Sequence, residues 1–365
     1  MGENGKPLIQ SFAMNGGDGP NSYTKNSAYQ RGVVDAAKEM IDGAILEKLD
    51  LKSFCLGNIF RIADLGCSIG PNTFIAVQNI IDAIEQKYKA ENQTHNLNLE
   101  LQVFFNDTVE NDFNTLFKSL PPSRQYFAAG VPGSFYDHLF PKSSIHLAHL
   151  SFALHWLSEL PKEVVDTKSP AWNKGSIQCT GYVKEVADAY ASQFKNDMRT
   201  FLDARADEIV PGGFLIILAA ALPDGVLMSQ TVMGMHHDLL ASCLYDMAKL
   251  GLIEEDKVDS FNLSSYFPHV SELKELIDEN EYFKNEKMEI LNNPWSFELQ
   301  TVETVFSQIR AVMEGIINDH FGNMINMDNL FENFCHKLAE HRLTCDQKFC
   351  KNTELFILLE RKKFN

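Results

Sequence analysis

The chain has 365 residues, a formal net charge of −17, and 45% hydrophobic residues. This length favours one large domain with an appended lobe. The strong negative charge argues against a nucleic-acid partner, which would require a basic surface. No apolar run approaches the roughly 18 residues of a membrane-spanning helix, so we expect no membrane partner.

The N-terminus and the cysteines bear on the location of the protein. Residues 1–6 are polar and lack the apolar segment of a signal peptide. The seven cysteines are an odd and scattered set, which is typical of reduced thiols. We therefore expect a cytoplasmic protein.

A glycine-rich segment precedes the first predicted helix. Residues 14–19 read Met-Asn-Gly-Gly-Asp-Gly, which predicts a loop. Ser27 is a candidate cap for the following helix, whose apolar residues include Val33 and Ile41. The segment is either a surface arm or a lid that closes over a site. The sequence alone favours the surface arm.

The pattern of residues 59–84 predicts a strand, a tight turn and a helix. Residues 59–65 form a short apolar run, and apolar residues then recur at three- and four-residue steps. Gly66 and Gly70 lie between the two elements, where the backbone must turn sharply. Such a turn presents backbone N–H groups and an acidic side chain, here Asp64, to a nucleotide-like ligand.

Three known motifs compete for this turn. A dinucleotide fingerprint fits poorly, because Ser68 occupies the position of its middle glycine. The Gly-x-Ser-x-Gly elbow of serine hydrolases matches literally but lies too early in the chain. The Asp-x-Gly-x-x-x-Gly loop of S-adenosylmethionine-dependent methyltransferases uses Asp64 and predicts an acid after the next strand, where Asp107 stands. A loop whose glycines only make the turn is the remaining interpretation.

Further candidate site residues follow the next predicted strands. Asp107 ends an apolar run and suits either ribose hydroxyls or a helix cap. Residues 126–136 contain proline and glycines and are predicted to form a turn, in which Ser134 and Phe135 either contact an adenine or pack together. Residues 144–150 predict a strand, and the ligands of open α/β sheets bind beyond such strand ends.

The second half of the chain mixes helices with a few strands. Residues 201–209 predict a helix that Pro211-Gly212-Gly213 ends, and residues 214–219 predict a buried strand. Residues 225–280 keep a helical period and read as a helical insertion. Residues 287–291 predict a strand, residues 296–340 predict helices, and residues 354–361 predict a last strand that closes the sheet edge.

The order of these motifs resembles the plant SABATH methyltransferases, which include salicylic acid, benzoic acid and theobromine enzymes. The resemblance covers essentially the whole chain and is carried by residues 14–17, 22–30, 64–73, 105–107, 111–114, 131–136, 154–158 and 259–263. It implies an α/β fold with a Rossmann-like class I S-adenosylmethionine-dependent methyltransferase sheet and a helical cap domain.

The resemblance also implies a division of the chain. The cofactor-binding domain with its N-terminal lid spans residues 1–224. The mainly helical substrate cap spans residues 225–345, interrupted by a sheet strand near 286–291. Residues 346–365 contain the strand that returns to the sheet. Members of the family are usually homodimers, so a homodimer is implied here.

Individual roles are carried over by position. S-adenosylmethionine would be bound by Tyr23, Asp64, Gly66, Cys67, Asn72, Asp107, Thr108, Ser134 and Phe135. The substrate would be bound by Gln30, His155, Trp156, His237 and Gln308, with Gln30 and Trp156 holding its carboxylate. The Mg²⁺ site described for some relatives would map to Asn173, Asp259, Phe261 and Asn262, a weak set because it contains a single carboxylate.

Three positions depart from the pattern of the family. Asn15 stands where many acid-methylating members have lysine. Thr108 replaces a common leucine after the ribose-binding aspartate. Phe152 replaces a common tyrosine beside the substrate, which removes a hydroxyl group from the pocket and leaves the identity of the substrate open.

The predicted activity is methyl transfer from S-adenosylmethionine to a small plant carboxylic acid, with an iridoid acid such as loganic acid as a candidate. A carboxyl group with a pKa of about 4 is already ionised at neutral pH, so the reaction needs no catalytic base. Positioning by Gln30 and Trp156 then supplies the catalysis. The alternatives are N-methylation of a xanthine-like alkaloid, a serine hydrolase, and a non-catalytic binding protein.

Overall fold

The computed structural model describes residues 13–54, 59–91, 99–293, 300–340 and 353–363. The strands in these ranges are β1 (Ile59–Leu65), β2 (Glu100–Asp107), β3 (Phe127–Pro132), β4 (Ile145–Ser151), β5 (Ile209–Ala221), β6 (Phe283–Leu291) and β7 (Thr353–Arg361). The helices are α1 (Ala28–Lys48), α2 (Leu51–Phe54), α3 (Pro71–Glu91), α4 (Phe113–Lys118), α5 (Lys184–Glu208), α6 (Val232–Lys249), α7 (Glu255–Ser260), α8 (Val270–Asp278), α9 (Val302–Phe321) and α10 (Met327–Glu340).

The described strands form one open sheet in the order β3-β2-β1-β4-β5-β7-β6. The five strands β3, β2, β1, β4 and β5 pair in parallel with their neighbours in this order. Strand β7 pairs antiparallel with both β5 and β6. Helices cover both faces of this sheet, so its central strands are buried on both sides and read as continuous apolar runs. The α/β sheet expected from the sequence is confirmed.

Two cores lie against the two faces of the sheet. On one face, α1 and α3 pack on strand residues such as Ile62, Leu147 and Ile216. On the other face, α5 and α8 pack on the residues that alternate with these, such as Ala63 and Leu215. This alternation follows from the two-residue period of a strand. The carboxyl ends of β1, β2 and β4 therefore meet at one rim, where the candidate site lies.

A third core holds the cap helices together. Apolar residues of α6, α9 and α10 pack against one another, including Leu244, Ile316 and Phe331. This separate core supports the predicted division near residue 225, which stays a prediction. The strand predicted within the cap is β6, and it belongs to the sheet.

Two predictions about the strands were wrong. Residues 127–132 form β3 rather than part of a turn, and they pair with β2 from Gln102 to Asp107. Pro132 and Gly130 are tolerated because β3 is an edge strand, with no described strand on its outer side. The last strand, β7, does not close the edge of the sheet but lies between β5 and β6.

The prediction that Pro211-Gly212-Gly213 ends a helix was also wrong. Helix α5 begins at Lys184 and ends at Glu208, and β5 starts directly after it. The three residues lie inside β5, where the pairing with β4 jumps from Ile209 to Phe214. These residues, which locally resemble a turn, thus form a bulge within the strand.

Candidate active site

The turn between β1 and α3 is built on a residue that must be glycine. Gly66 has a φ of +69°, and a Cβ there would lie 2.8 Å from the Cβ of Ala153. Ser68 follows in the same left-handed region with a φ of +52°. The Ser68 N–H donates to Asp107 Oδ2 over 2.7 Å, which ties the turn to the end of β2.

Asp107 combines partial burial with hydrogen bonds from the backbone. Its Oδ1 accepts the N–H of Thr108 over 2.8 Å, in addition to the bond from Ser68. Burial raises the pKa of Asp107 to about 6, although these two bonds lower it. The carboxylate keeps spare lone pairs, which suit the hydroxyl groups of a ribose.

Asp64 is held on both of its oxygens. His149, its register partner on β4, places Nδ1 2.6 Å from Asp64 Oδ1, and the Thr73 hydroxyl donates to Oδ2. Both partners of this His–Asp pair are buried. The sequence did not single out His149, because its place opposite Asp64 depends on the register of two strands 85 residues apart.

Asn72 connects the turn to the start of α1. Its side-chain amide donates to the carbonyl oxygen of Ser27 over 3.0 Å and to the Ser27 hydroxyl over 2.9 Å. Ser27 therefore does not cap α1 with its side chain, contrary to the prediction. With both amide hydrogens engaged, Asn72 can offer only its Oδ1, an acceptor, to a ligand.

A cavity of about 190 Å³ opens at this rim, between the sheet and the cap. Residues predicted to bind the cofactor that line it are Tyr23, Gly66, Asp107, Thr108, Ser134 and Phe135. All the residues predicted to bind the substrate line it as well: Gln30, His155, Trp156, His237 and Gln308. A smaller adjoining cavity is lined by the remaining cofactor residues Asp64, Cys67 and Asn72, and it shares Tyr23 and Gln30 with the larger one.

Several polar atoms of the cavity wall are buried and have no hydrogen-bonding partner in the described structure. They are Gln30 Oε1, Ser68 Oγ, Thr108 Oγ1, His155 Nδ1, and both the Oε1 and the Nε2 of Gln308. Buried polar atoms in proteins nearly always have a hydrogen-bonding partner. This wall therefore suits a ligand with several polar groups.

The histidines of the cavity are neutral. Burial lowers the pKa of His155 and of His237 to about 3. His237 Nδ1 lies 2.9 Å from Gln178 Oε1, and the Gln178 amide in turn donates to the Gly234 carbonyl oxygen. Because an amide oxygen accepts, Nδ1 of His237 carries the hydrogen and its Nε2 is an acceptor. The described lining contains no lysine or arginine.

The sequence missed most of the apolar wall. The residues concerned include Met14, Met233, Phe267 and Val312, together with Phe152, which the sequence named as a departure only. Helical periodicity predicts that a helix such as α9 has an apolar face. It cannot tell which residues of that face meet a cavity and which meet the neighbouring helix.

The predicted magnesium ligands do not line the cavity, and their polar side chains contact other groups. Asp259 accepts from the Tyr245 hydroxyl over 2.8 Å and pairs with Lys174 over 3.1 Å. Asn173 donates to Asn262 Oδ1 over 2.7 Å, and the fourth residue, Phe261, is buried. The described residues contain no cluster of three or more His, Cys, Asp or Glu suited to a metal. As arranged, the set fits a hydrogen-bonded cluster with its own cation and does not fit Mg²⁺.

The serine hydrolase interpretation finds no support in this geometry. A nucleophilic serine needs a base within hydrogen-bonding reach. Ser68 Oγ has no hydrogen-bonding partner among the described residues, and the acid nearest to its backbone is Asp107.

An open α/β sheet with a ligand-sized cavity at the carboxyl ends of its parallel strands is the arrangement of a nucleotide-cofactor enzyme. A family model described as SAM dependent carboxyl methyltransferase matches residues 9–362. The chain belongs to this family.

Particular members of the family cover nearly the whole chain. Loganic acid O-methyltransferase of Catharanthus roseus is 48% identical over 97% of this chain and 95% of its own length. The farnesoic acid carboxyl-O-methyltransferase of Arabidopsis thaliana is 47% identical over 86% of this chain and 89% of its own length. The paraxanthine methyltransferase 2 of the same plant is 45% identical over 86% of this chain and 88% of its own length. The solved structure of a loganic acid methyltransferase with SAH matches with a TM-score of 0.91 at 48% identity, covering 96% of this chain and 99% of that chain.

These comparisons confirm the predictions of family, fold class, activity and cofactor. The protein is a carboxyl O-methyltransferase that uses S-adenosylmethionine as the methyl donor. Within the family, the chain is similar to loganic acid methyltransferase in both sequence and structure. A search of the described helices for one long and apolar enough to cross a membrane finds none.

Proposed function

We propose that the acceptor is a hydroxylated carboxylic acid of the iridoid type, such as loganic acid. The main support for this proposal is the polar part of the cavity wall. The Oε1 and Nε2 atoms of Gln308 and the Nδ1 of His155 are buried and have no hydrogen-bonding partner among the described residues. A simple aromatic acid would leave these groups unsatisfied at a cost of roughly 1–3 kcal/mol each. An acid with hydroxyl groups would satisfy them.

We further propose that Gln30 and Trp156 hold the acceptor carboxylate. Both line the cavity, and both offer neutral N–H donors. A neutral donor on one carboxylate oxygen leaves the other free to react, whereas the fork of an arginine would engage both. The absence of lysine and arginine from the described lining fits this role.

The cofactor site is proposed to extend along the rim. Asp107 would hold the ribose hydroxyls, Ser134 and Phe135 the adenine, and Asp64 with Asn72 the methionine end. The unpaired hydroxyl groups of Ser68 and Thr108 suit such a polar ligand. When bound, S-adenosylmethionine supplies an electrophilic methyl group on a sulfonium.

No residue of the cavity has to act as a base. The acceptor carboxylate is ionised at neutral pH, and a pKa of about 3 makes His155 and His237 poor bases. The chain contributes orientation, which accounts for roughly 7–11 kcal/mol of barrier in favourable cases. The apolar cap residues exclude water, which favours a step in which opposite charges cancel.

N-methylation of a xanthine-like ring is the second candidate function. The likeness to a paraxanthine methyltransferase favours it. A ring nitrogen that carries a hydrogen must lose it on methylation, and the two neutral histidines provide no strong base for that proton. We therefore rank it below esterification.

A labelled methyl donor tests the acceptor directly. Purified protein is incubated with iridoid, salicylic, benzoic, jasmonic, farnesoic and indole-acetic acids and with xanthines. We expect the largest kcat/KM for the iridoid acid and a product that releases labelled methanol in mild base, as a methyl ester does. A base-stable product formed from a xanthine would overturn the proposal, as would a simple aromatic acid as the best acceptor.

Two further proposals concern the state of the protein. The family resemblance supports a homodimer, and light scattering should give about twice the mass of the chain. Among the described residues, the cysteines Cys67, Cys179, Cys243 and Cys335 form no disulfide. Free thiols are typical of a reducing compartment and support a cytoplasmic location.

A further inference from the structure

Helix α5 carries buried charges although it adds no residue to the wall of the main cavity. Asp197 is 4% exposed, and Arg205 and Glu208 are each 1% exposed. Charged side chains are almost never buried to this extent unless they are paired. Their partners therefore indicate why the helix carries them.

Arg205 binds the segment that contains two of the proposed adenine contacts. Its Nη1 donates to the carbonyl oxygen of Phe135 over 2.7 Å, and its Nη2 donates to that of Asp137 over 2.8 Å. The guanidinium also lies 5.5 Å from the centre of the Phe201 ring, which meets the Phe135 ring edge-on. The arginine thus fixes both the backbone and the ring of Phe135.

Glu208 binds the same segment a few residues later. Its Oε1 accepts the backbone N–H groups of Leu139 and Phe140, the latter over 3.0 Å. Its Oε2 lies 2.8 Å from Arg205 Nη2 in an ion pair. Arg205 and Glu208 together hold carbonyl and N–H groups of residues 135–140, a segment that lies outside the described strands and helices.

Asp197 binds the other loop of the site. Its Oδ2 accepts the Ser158 N–H over 2.9 Å, and its Oδ1 accepts the Ser158 hydroxyl over 2.5 Å. Gln193, one turn earlier on α5, donates to the same carboxylate over 2.9 Å. Ser158 lines the cavity two residues after Trp156, the proposed carboxylate donor.

The spacing of these charged residues lets one helix, α5, contact both loops of the site. Asp197 and Glu208 are eleven residues apart, which is about three turns of a helix, so they project from the same side. The two loops are also joined directly, because the Tyr136 hydroxyl donates to the Trp156 carbonyl oxygen over 2.7 Å. A buried charge costs more to desolvate than an apolar side chain, so packing alone would not require these residues.

We propose that Asp197, Arg205 and Glu208 are positioning residues, and that each acts mainly on the segment it contacts directly. Arg205 and Glu208 set the cofactor segment 134–140, and Asp197 sets the acceptor segment 152–158. The inference rests on the proposed function, in which Phe135 contacts the adenine and Trp156 the carboxylate.

Three near-isosteric variants of the full-length protein test the proposal: E208Q, R205K and D197N. The measurements are SAH affinity by calorimetry, acceptor KM, kcat and Tm. We expect E208Q and R205K to weaken SAH binding about tenfold, with acceptor KM within about twofold of wild type. We expect D197N to raise acceptor KM about tenfold with SAH affinity nearly unchanged. The control is R199A, since Arg199 lies on the exposed side of α5 and pairs with Glu279.

The outcomes separate this inference from the proposal on which it rests. If F135A leaves SAH affinity unchanged, the assignment of the adenine segment fails. If F135A weakens SAH binding while E208Q and R205K do not, the positioning role fails. An equal loss of SAH affinity and acceptor affinity that parallels a fall in Tm would overturn the inference. Failure of both the Arg205 and the Glu208 variants to fold would overturn it too. In either case the residues would stabilise the fold as a whole.

Discussion

Asp107 faces opposite demands at a single position. It is half-buried, which favours its neutral form, whereas the ionised form offers the hydroxyl groups of a ribose more acceptor sites. The N–H bonds from Ser68 and Thr108 partly offset the burial, and the pKa settles at about 6. A carboxyl group poised this close to neutral pH makes cofactor binding sensitive to acid.

We expect SAH affinity to be constant above pH 7 and to fall as the pH drops through about 6. The sign follows because the raised pKa lets Asp107 take up a proton below that pH, and a protonated carboxyl loses acceptor capacity. Calorimetry from pH 5 to 8 measures this. D107N should bind weakly with no step in this range; a step of the same size in D107N would assign the titration to another group.

Trp156 gives a second prediction at the level of one residue. W156F removes the indole N–H and keeps an aromatic ring, so acceptor KM should rise about tenfold or more. Affinity for SAH should stay near wild type, because the proposed cofactor contacts lie elsewhere. Steady-state kinetics and calorimetry give the two values. W172F is the matched control, since Trp172 lies outside the cavity; parallel loss of both affinities in W156F would place the ring in the core instead.

Among the elements, the N-terminal segment before α1 departs most from expectation. The sequence alone favoured a surface arm, yet Met14 and Tyr23 line the cavity. Asn15 connects the segment to α9 by two hydrogen bonds. Its backbone N–H donates to the Ala311 carbonyl oxygen over 3.0 Å, and its side-chain amide donates to Glu314 Oε2 over 3.0 Å. On the other side, the Gly17 N–H donates to Asp112 over 3.0 Å.

Loosening this segment should weaken both ligands together. In N15A the side-chain bonds to α9 are lost, at about 0.5–1.5 kcal/mol each. We expect KM to rise roughly threefold to tenfold for S-adenosylmethionine and for the acceptor, with faster proteolysis ahead of residue 28. N196A, an exposed position on α5, is the control. Unchanged kinetics in N15A would mean that the segment does not cover the ligands.

The loops that carry Asn173 and Asp259 lead to a prediction about metal. Lys174 already supplies the positive charge beside Asp259, and the Asn262 side-chain oxygen already accepts a hydrogen bond from Asn173. Removal of divalent ions with a chelator should therefore leave kcat and both KM values unchanged. A loss of activity that added Mg²⁺ restores would contradict this.

The elements also explain what the sequence could and could not predict. Strand β1 was predicted with its observed bounds, because an apolar run ends abruptly at Gly66. Strand β3 was missed because Gly130 and Pro132 are turn residues that only an edge position makes compatible with a strand. Asp64 and Asp107 could be found from the turn motif, whereas Gln30, His237 and Gln308 came from family resemblance. His149 and Arg205 depend on long-range contacts that no local pattern carries.

At the scale of the whole molecule, the net charge opposes the proposed chemistry. The chain carries −17, and the proposed acceptor is an anion. Long-range repulsion slows the approach of such an acceptor, and salt screens it over about 10 Å at 0.1 M. The lining itself has no lysine or arginine in its described part to attract the acid.

We therefore expect kcat/KM for the carboxylic acid to rise a few-fold as ionic strength increases from about 0.01 to 0.2 M. The methyl ester product, which has lost the carboxylate charge, serves as the control: its inhibition constant should not change. Initial rates at low acceptor concentration measure the effect. A fall in kcat/KM with salt would point to local positive steering that outweighs the net charge.

The position of β7 has a consequence for synthesis. A ribosome delivers this strand after every other described strand, yet it lies between β5 and β6. Until it emerges, β5 has an open hydrogen-bonding edge and β6 has no neighbour in the sheet, a state prone to self-association. Premature termination upstream of residue 353 should therefore yield insoluble polypeptide rather than an enzyme of reduced activity.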